Sequence, residues 1–508
     1  MSRKTKINEL IHIEEPAILF GYNQACVDPR DGLTLFGPLN LPKIYGIRSG
    51  VVATKRGLEI FKRYLEKIQR PVYNSNLTTR PMFPGFEAVF DCKWEQSNIL
   101  FREVTDVEIG RYLFHKNTHT RTYDLVGLFI EKIITSQRDD EAKVDVWFVI
   151  IPDDIYKYCR PNSVLPRALA LVDTQMSKPK AKKLFIAPSL FIEENVEAEP
   201  FKFDAHFHDQ LKARLLPHAV ATQIFRESTL AWSEFKNKLG NPIRDFSKIE
   251  GHLAWTVSTA TYYKAGGKPW KLANIRKGVC YLGLVYKRVD NAMNTRNACC
   301  AAQMFLDSGD GTVFKGEVGA WYNPTTKEYH LDPRAARALL TNAIKSYASL
   351  VGENPREVFI HSKTRFNSIE WQAFLDAKPA ETKIVGIVIE KTKPLKLYRT
   401  SGRFPILRGS ACVLTKQTAF LWTLGYVPRL QTAIAMEVPS PLFIEINKGE
   451  TDIVQVLHDI MALTKLNYNA CLFGDGSPVT LRFANSIGEI LTASMDIQAP
   501  PLAFKYYI

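Results

Sequence analysis

Four residues of types that suit phosphate binding occur in a fixed order along the chain: His208, Lys212, Gln223 and Lys264. His208 and Lys212 are four apart, so on a helix they share one face. Gln223 follows eleven residues after Lys212, and Lys264 stands at a predicted helix end in Tyr263-Lys264-Ala265-Gly266-Gly267-Lys268-Pro269-Trp270. Lysine supplies a point charge, glutamine an amide donor, and histidine a donor or a stacking surface, a set that can hold a terminal phosphate and its base. Taken singly, these are a solvated lysine or a Gly-Gly helix cap. Their order and spacing carry the signal. Other chemistry is not written in the sequence, which has no GxxxxGK[ST], GxSxG or HExxH and no GxGxxG opening a helix after a strand. His206-Phe207-His208 is its only His-x-His and reads as a pair of helix-entry residues, while Asp139-Asp140 and Asp153-Asp154 read as solvated turn carboxylates. Eight scattered cysteines without a CxxC pair suggest neither a zinc ribbon nor a disulfide framework.

The elements that must position these residues follow from apolar patterning. Runs apolar on both faces (144–151, 279–286, 358–360, 384–389 and 442–446) suit strands covered by helices. Amphipathic segments lie between them at 58–68, 123–134, 209–216, 335–350 and 453–463. Strands alternating with helices indicate α/β architecture. At about 100–200 residues per domain, a chain of 508 residues has room for two or three. A boundary is expected at 270–277, where a Gly-Gly-Lys-Pro turn precedes a buried run. Ser177 to Pro200, a lysine cluster followed by an acidic stretch, reads as a solvated loop or linker. No apolar run reaches the roughly 18–20 residues that span a bilayer, and the start lacks a signal-peptide core, so the expectation is a cytoplasmic protein.

The net charge is +14, and residues 251–300 hold eight basic residues against one acidic, half of that excess in a tenth of the chain. Such a footprint points to a polyanion.

The order His208, Lys212, Gln223, Lys264 before a Gly-Gly turn resembles the guide 5′-phosphate pocket of short prokaryotic Argonautes. The resemblance extends to 28–33 (Asp-Pro-Arg-Asp-Gly-Leu), 36–38 (Phe-Gly-Pro), 408–410 (Arg-Gly-Ser), 422–425 (Trp-Thr-Leu-Gly) and 467–469 (Asn-Tyr-Asn). It implies a Rossmann-like MID domain and an RNase H-like PIWI domain, with no N or PAZ domain. The implied division is a linker-like segment packing with PIWI at 1–120, MID at 121–270 and PIWI at 271–508. His208 replaces the tyrosine common in long Argonautes. The aromatic ending Phe504-Lys505-Tyr506-Tyr507-Ile508 is expected to dock; by resemblance the Ile508 carboxylate would help hold a Mg²⁺ ion that bridges the guide phosphate, as hard oxygen ligands favour.

Active PIWI domains resemble RNase H in using carboxylates to hold two metal ions. By resemblance the corresponding positions here are Val285, Ser362 in His361-Ser362-Lys363, and Asn485, none of them an anionic ligand. The expectation is a chain without nuclease activity, with Glu317 the one carboxylate that tempts another assignment. Lys268, Lys271, Lys287, Arg288, Lys363 and Arg365 would then line a channel for guide and target backbones. The resemblance implies a guide RNA, a single-stranded DNA target, and a TIR-APAZ partner whose TIR domain hydrolyses NAD⁺. A Sir2-APAZ partner, a nuclease with an unrecognised metal site and a general single-strand binder stay open as alternatives.

Overall fold

The computed structural model describes residues 9–40, 45–74, 81–139, 143–170, 176–274, 276–288, 297–305, 311–315, 320–323, 328–391, 395–402, 404–433, 438–494 and 502–508. Two sheets organise these residues. The first is parallel throughout, built from β1 (Ser49–Ala53), β2 (Ile99–Glu103), β3 (Val146–Ile151) and β4 (Thr222–Arg226) in the order β2-β1-β3-β4. β1 and β3 are buried at every position, as parallel strands with helices on both faces must be. Val51, Ala53, Phe148 and Ile150 face Leu58, Phe61 and Leu65 of α1 (Lys55–Ile68). The alternate residues Val52, Trp147, Val149 and Ile151 face Leu125 and Phe129 of α2 (Thr118–Asp139) and Leu211 and Leu215 of α3 (Phe207–Leu215). This is a Rossmann-like layering. The fourth helix, α4 (Glu250–Lys264), leads out of the layer toward the second sheet.

The second sheet has twelve strands among the described residues. At its centre, β5 (Val279–Arg288), β6 (Asn297–Phe305) and β7 (Gly311–Lys315) form an antiparallel meander. β8 (Glu357–Ser362) then returns parallel to β5, and β9 (Lys383–Lys391) parallel to β8. The order β7-β6-β5-β8-β9 is RNase H-like. β10 (Leu442–Lys448) extends it antiparallel to β9. One face is covered by α5 (Pro333–Val351) and α6 (Ser368–Ala377), and the other by α7 (Ile453–Leu463), α8 (Val479–Arg482) and α9 (Ala484–Thr492). The apolar cluster on this second face runs without a break from Tyr281, Phe359 and Ile444 to Phe61 and Phe148 of the first sheet, so one core joins the two layers.

Two sequence expectations need correction. A division at residue 120 would cut through the first sheet, because β1 and β2 hydrogen-bond within the same layer as β3 and β4. β1 is only five residues and opens Ser-Gly, and β2 is half-buried and ends Arg-Glu, so neither shows an apolar run. Within 1–120, the segment at Leu10–His12 does pair with the second sheet, at Ser410–Cys412, and Glu15 beyond it accepts from Arg408 Nε at 2.9 Å and pairs with Lys465 Nζ at 2.5 Å. The charged stretch 177–200 is two helices, Lys178–Ile186 and Ile192–Ala198, rather than a loop. Ser177 caps the first by accepting from Lys180 N, and the opposite charge blocks meet as Lys180 Nζ–Glu194 Oε1 at 2.8 Å. No helix among the described residues is long and apolar enough to cross a membrane.

The closest backbone approach in the second domain is that of α8 over β5. A Cβ added at Gly283 would lie 1.9 Å from the Thr480 carbonyl oxygen, and a backbone atom cannot turn aside. Gly283→Ala is expected to destabilise the protein by about 1–3 kcal/mol or more, read as a lower urea midpoint than that of a Gly110→Ala control, whose Cβ would meet only an ordinary contact at 3.8 Å from Phe114.

Candidate functional site

The four phosphate-suited residues lie on three elements that meet beside the C-terminal segment. α3 begins at His206, its N-cap, and carries His208 in its first turn and Lys212 one turn on. β4 carries Thr222 and Gln223. α4 ends in a cap in which Gly266 N donates to the Tyr263 oxygen and Gly267 N to the Tyr262 oxygen, leaving Lys264 in its last turn. Gly266 has φ +100°, and a Cβ at Gly267 would fall 2.2 Å from the Tyr262 ring, so both positions require glycine. The last residues arrive by Leu502–Ala503 pairing with β7, and Phe504 packs 5.5 Å from Phe305 and 5.1 Å from Phe483.

These elements bring two lysines into the interior. Lys212 is 3% and Lys264 1% exposed. Both donate to one acceptor, the Thr222 carbonyl oxygen, from 3.3 Å and 3.0 Å. Lys264 also donates to Gln223 Oε1, and Lys212 to the main-chain oxygen of Ile508 at 2.7 Å. Burial pushes the Lys212 ammonium down to about 7, against the pull of the Asp209 carboxylate. Burial, and then repulsion from Lys212, holds Lys264 well below the usual lysine range. Two buried lysine head groups sharing the Thr222 carbonyl, one of them also on an oxygen of Ile508, suit an anion. His208 lies at the outer end of this group, its Nδ1 2.7 Å from Asp209 Oδ1.

Next to His208 opens a cavity of about 370 Å³ at the carboxyl ends of β3 and β4, lined by Ile151, Tyr156, Arg160, His206, His208 and Arg226 among others. That is where open parallel sheets bind ligands. Tyr156 is stacked between two guanidinium groups, with Arg160 and Arg226 each 3.9 Å from its ring centre. Asp153 is not a solvated turn carboxylate: it opens a short helix and accepts from Ser228 N at 3.1 Å, with Arg226 3.8 Å away. Neither the Arg-Tyr-Arg stack nor Asp209 is marked by the motif search. The signal for Asp209 was its place directly after His208.

The positions set against a nuclease gather at the carboxyl ends of β5 and β8. Val285 is two residues beyond Gly283, which pairs with His361. Ser362 is buried and its Oγ accepts from Thr364 N at 3.1 Å. Lys363 Nζ lies 3.4 Å from Asn485 Oδ1, and both border a groove of about 500 Å³ shared with Glu390, Lys391 and Arg482. Arg365 is paired with Glu445, Nη2 to Oε2 at 2.9 Å, so its charge is already matched. Lys268 and Lys271 lie at the junction after α4, where Lys271 is half-buried. Lys287 and Arg288 end β5; Glu317 lies outside the described residues.

No protein-family profile matches the sequence, and no curated protein matches it. Solved structures do. Clostridium butyricum Argonaute bound to a guide DNA and a 19-mer target DNA is similar over 98% of this chain and 55% of that one, at 16% identity and TM-score 0.62. Aquifex aeolicus Argonaute is similar over 98% and 55%, at 12% identity and TM-score 0.52. The likeness is one of fold, the MID and PIWI arrangement of Argonautes, and the chain spans about half the length of these solved chains.

His361, beside Ser362, is fully buried with its Nδ1 2.9 Å from Thr480 Oγ1, and burial pushes its imidazole down to about 3. An unfolded histidine titrates near about 6.5, so between those values the unfolded chain binds the extra proton. This contribution to stability is present above about pH 6.5 and is lost as pH falls toward 3. Urea midpoints of the wild type are expected to fall between pH 7 and pH 5 more steeply than those of His361→Gln.

Proposed function

We propose that this chain is a guide-binding subunit that anchors the 5′-phosphate of a guide strand on Lys212, Lys264, Gln223 and His208. The observation that carries the reading is the pair of buried lysines sharing the Thr222 carbonyl, a site in which a phosphate would restore charge balance. The guide and target strands held by the similar Clostridium butyricum Argonaute support a nucleic acid as the ligand. The cavity walled by Tyr156 and His208 lies beside the lysines and suits the first base of the strand.

A Mg²⁺ ion fits the oxygen donors available. Gln223 Oε1 and the main-chain oxygen of Ile508 would hold it; both accept from lysines here, so those ammonium groups would have to turn to the phosphate. The ion would supply positive charge bridging the phosphate to the chain.

Strand cleavage is not part of the proposal. Ser362 is tied to its own loop, and Lys363 brings positive charge to the place where paired metal ions would need anionic ligands. The groove of Lys363, Lys391 and Arg482, with Lys268, Lys271, Lys287 and Arg288, would instead hold strand backbones while base pairing reads sequence. By the family resemblance the guide is RNA and the target single-stranded DNA. The effector is then a separate TIR-APAZ chain, which hydrolyses NAD⁺ on target recognition in the cytoplasm.

The test compares 5′-phosphate with 5′-hydroxyl oligonucleotides. A clear preference for the phosphate is expected. Losing one charge-assisted contact removes about 1.5–3 kcal/mol, so Lys264→Ala should weaken 5′-phosphate binding about 10- to 150-fold, and Lys212→Glu should abolish the preference. Equal affinity for both oligonucleotides would overturn the proposal. Incubation with Mg²⁺ or Mn²⁺ and a complementary target is expected to leave the target intact; cleavage that Glu317→Gln abolishes would establish a nuclease. Isolation from cells, with sequencing of the bound strands, identifies the guide and the partner chain.

A further inference from the structure

We infer that His206, His208 and Asp209 form a binding site for a divalent transition-metal ion of the Zn²⁺ class at the mouth of the cavity beside β3 and β4. One ligand atom from each residue lies within 4.8 Å of the others. The local sequence explains why: His206 caps α3, and His208 and Asp209 occupy its first turn, so both imidazoles converge on one carboxylate. His208 Nδ1 is 2.7 Å from Asp209 Oδ1, and His206 Nδ1 is 2.9 Å from Asp209 Oδ2.

The second contact is not a well-formed hydrogen bond. His206 Nδ1 is shielded from solvent and, despite its short distance to the carboxylate, finds no aligned partner. A nitrogen and a carboxylate oxygen held close without a proton aligned between them are arranged as two ligands of one cation would be. A small outward shift of the three side chains would open the usual ligand distances of about 2.0–2.2 Å to a shared ion. Two imidazoles and one carboxylate favour Zn²⁺, Co²⁺ or Ni²⁺ over the all-oxygen preference of Mg²⁺. Three protein ligands leave a position open toward the cavity that His206 and His208 line. Three features oppose a cation here: the positive end of the α3 dipole, the nearby Lys212, and Arg160 beside His206 at the cavity wall. Asp209 supplies the compensating charge, only 7% exposed and directly on the ion's ligands.

This site is separate from the Gln223 and Ile508 oxygens, and its test needs no nucleic acid. Purified full-length protein, stripped with chelator, is titrated with Co²⁺ and followed by its visible absorption, then with Zn²⁺ by calorimetry. One equivalent is expected, with a spectrum of nitrogen and oxygen donors that Zn²⁺ bleaches and excess Mg²⁺ does not. His206→Gln, at a part-exposed position, and Asp209→Asn should each weaken binding at least tenfold, while His218→Gln, an exposed control, leaves it unchanged. Circular dichroism establishes that each variant is folded; if Asp209→Asn is not, His206→Gln decides. Absence of a one-equivalent event, displacement by Mg²⁺, or binding that His206→Gln leaves intact would overturn the assignment.

Discussion

The structure depends on the burial of two lysines against one carbonyl. Lys212 and Lys264 come from different helices and reach Thr222 of β4 from 10 residues before it and 42 after it. A lysine head group is hydrated strongly, and removing two from water within reach of the same oxygen is costly unless an anion shares the space. The arrangement holds because packing around it is extensive. α3 is pinned by Leu211 and Leu215, α4 by Trp255 and Tyr262, and the C-terminal segment by Phe504 and Tyr507. The apolar core thereby stabilises a polar site that would not form by itself.

The second domain treats charge in the opposite manner. Its strand ends hold exposed or paired cations, Lys363 against Asn485 in a groove and Arg365 against Glu445. Charges in solvent are screened and interchangeable, which suits contacts to a regular phosphate backbone. Buried lysines at fixed distances suit one phosphate in one place. The proposed anchoring pocket and the proposed groove would therefore differ in specificity for a physical reason, although both are basic.

Where the N-terminal segment joins the second sheet, Glu15 meets the buried Arg408 and Lys465, and Arg408 also donates to Thr464 Oγ1 at 2.7 Å and to the Thr423 oxygen. The segments 408–410 and 422–425, which carry part of the family resemblance, thus fasten the N-terminal residues to the second sheet.

The sequence by itself determined the long elements and picked out four residues that the structure brings close together. α1, α5 and α7 follow apolar spacing that admits one helical face, and β3, residues 279–284 of β5 and residues 384–389 of β9 are runs buried on both sides, so local pattern and final burial agree there. His208, Lys212, Gln223 and Lys264 were legible because their order is preserved along the chain. What only the tertiary structure decided depends on distant or weakly patterned residues. β1 and β2 are short, and pairing within a sheet, not propensity, makes them strands. The helices at 178–198 pack through Ala181, Leu184, Phe185, Ala198 and Phe201, with one exposed ion pair between them. Tyr156 against Arg226 and Ile508 against Lys212 are contacts across different elements. Residue spacing along the chain does not encode such contacts; the packing of α3, β4 and the C-terminal segment around one core does.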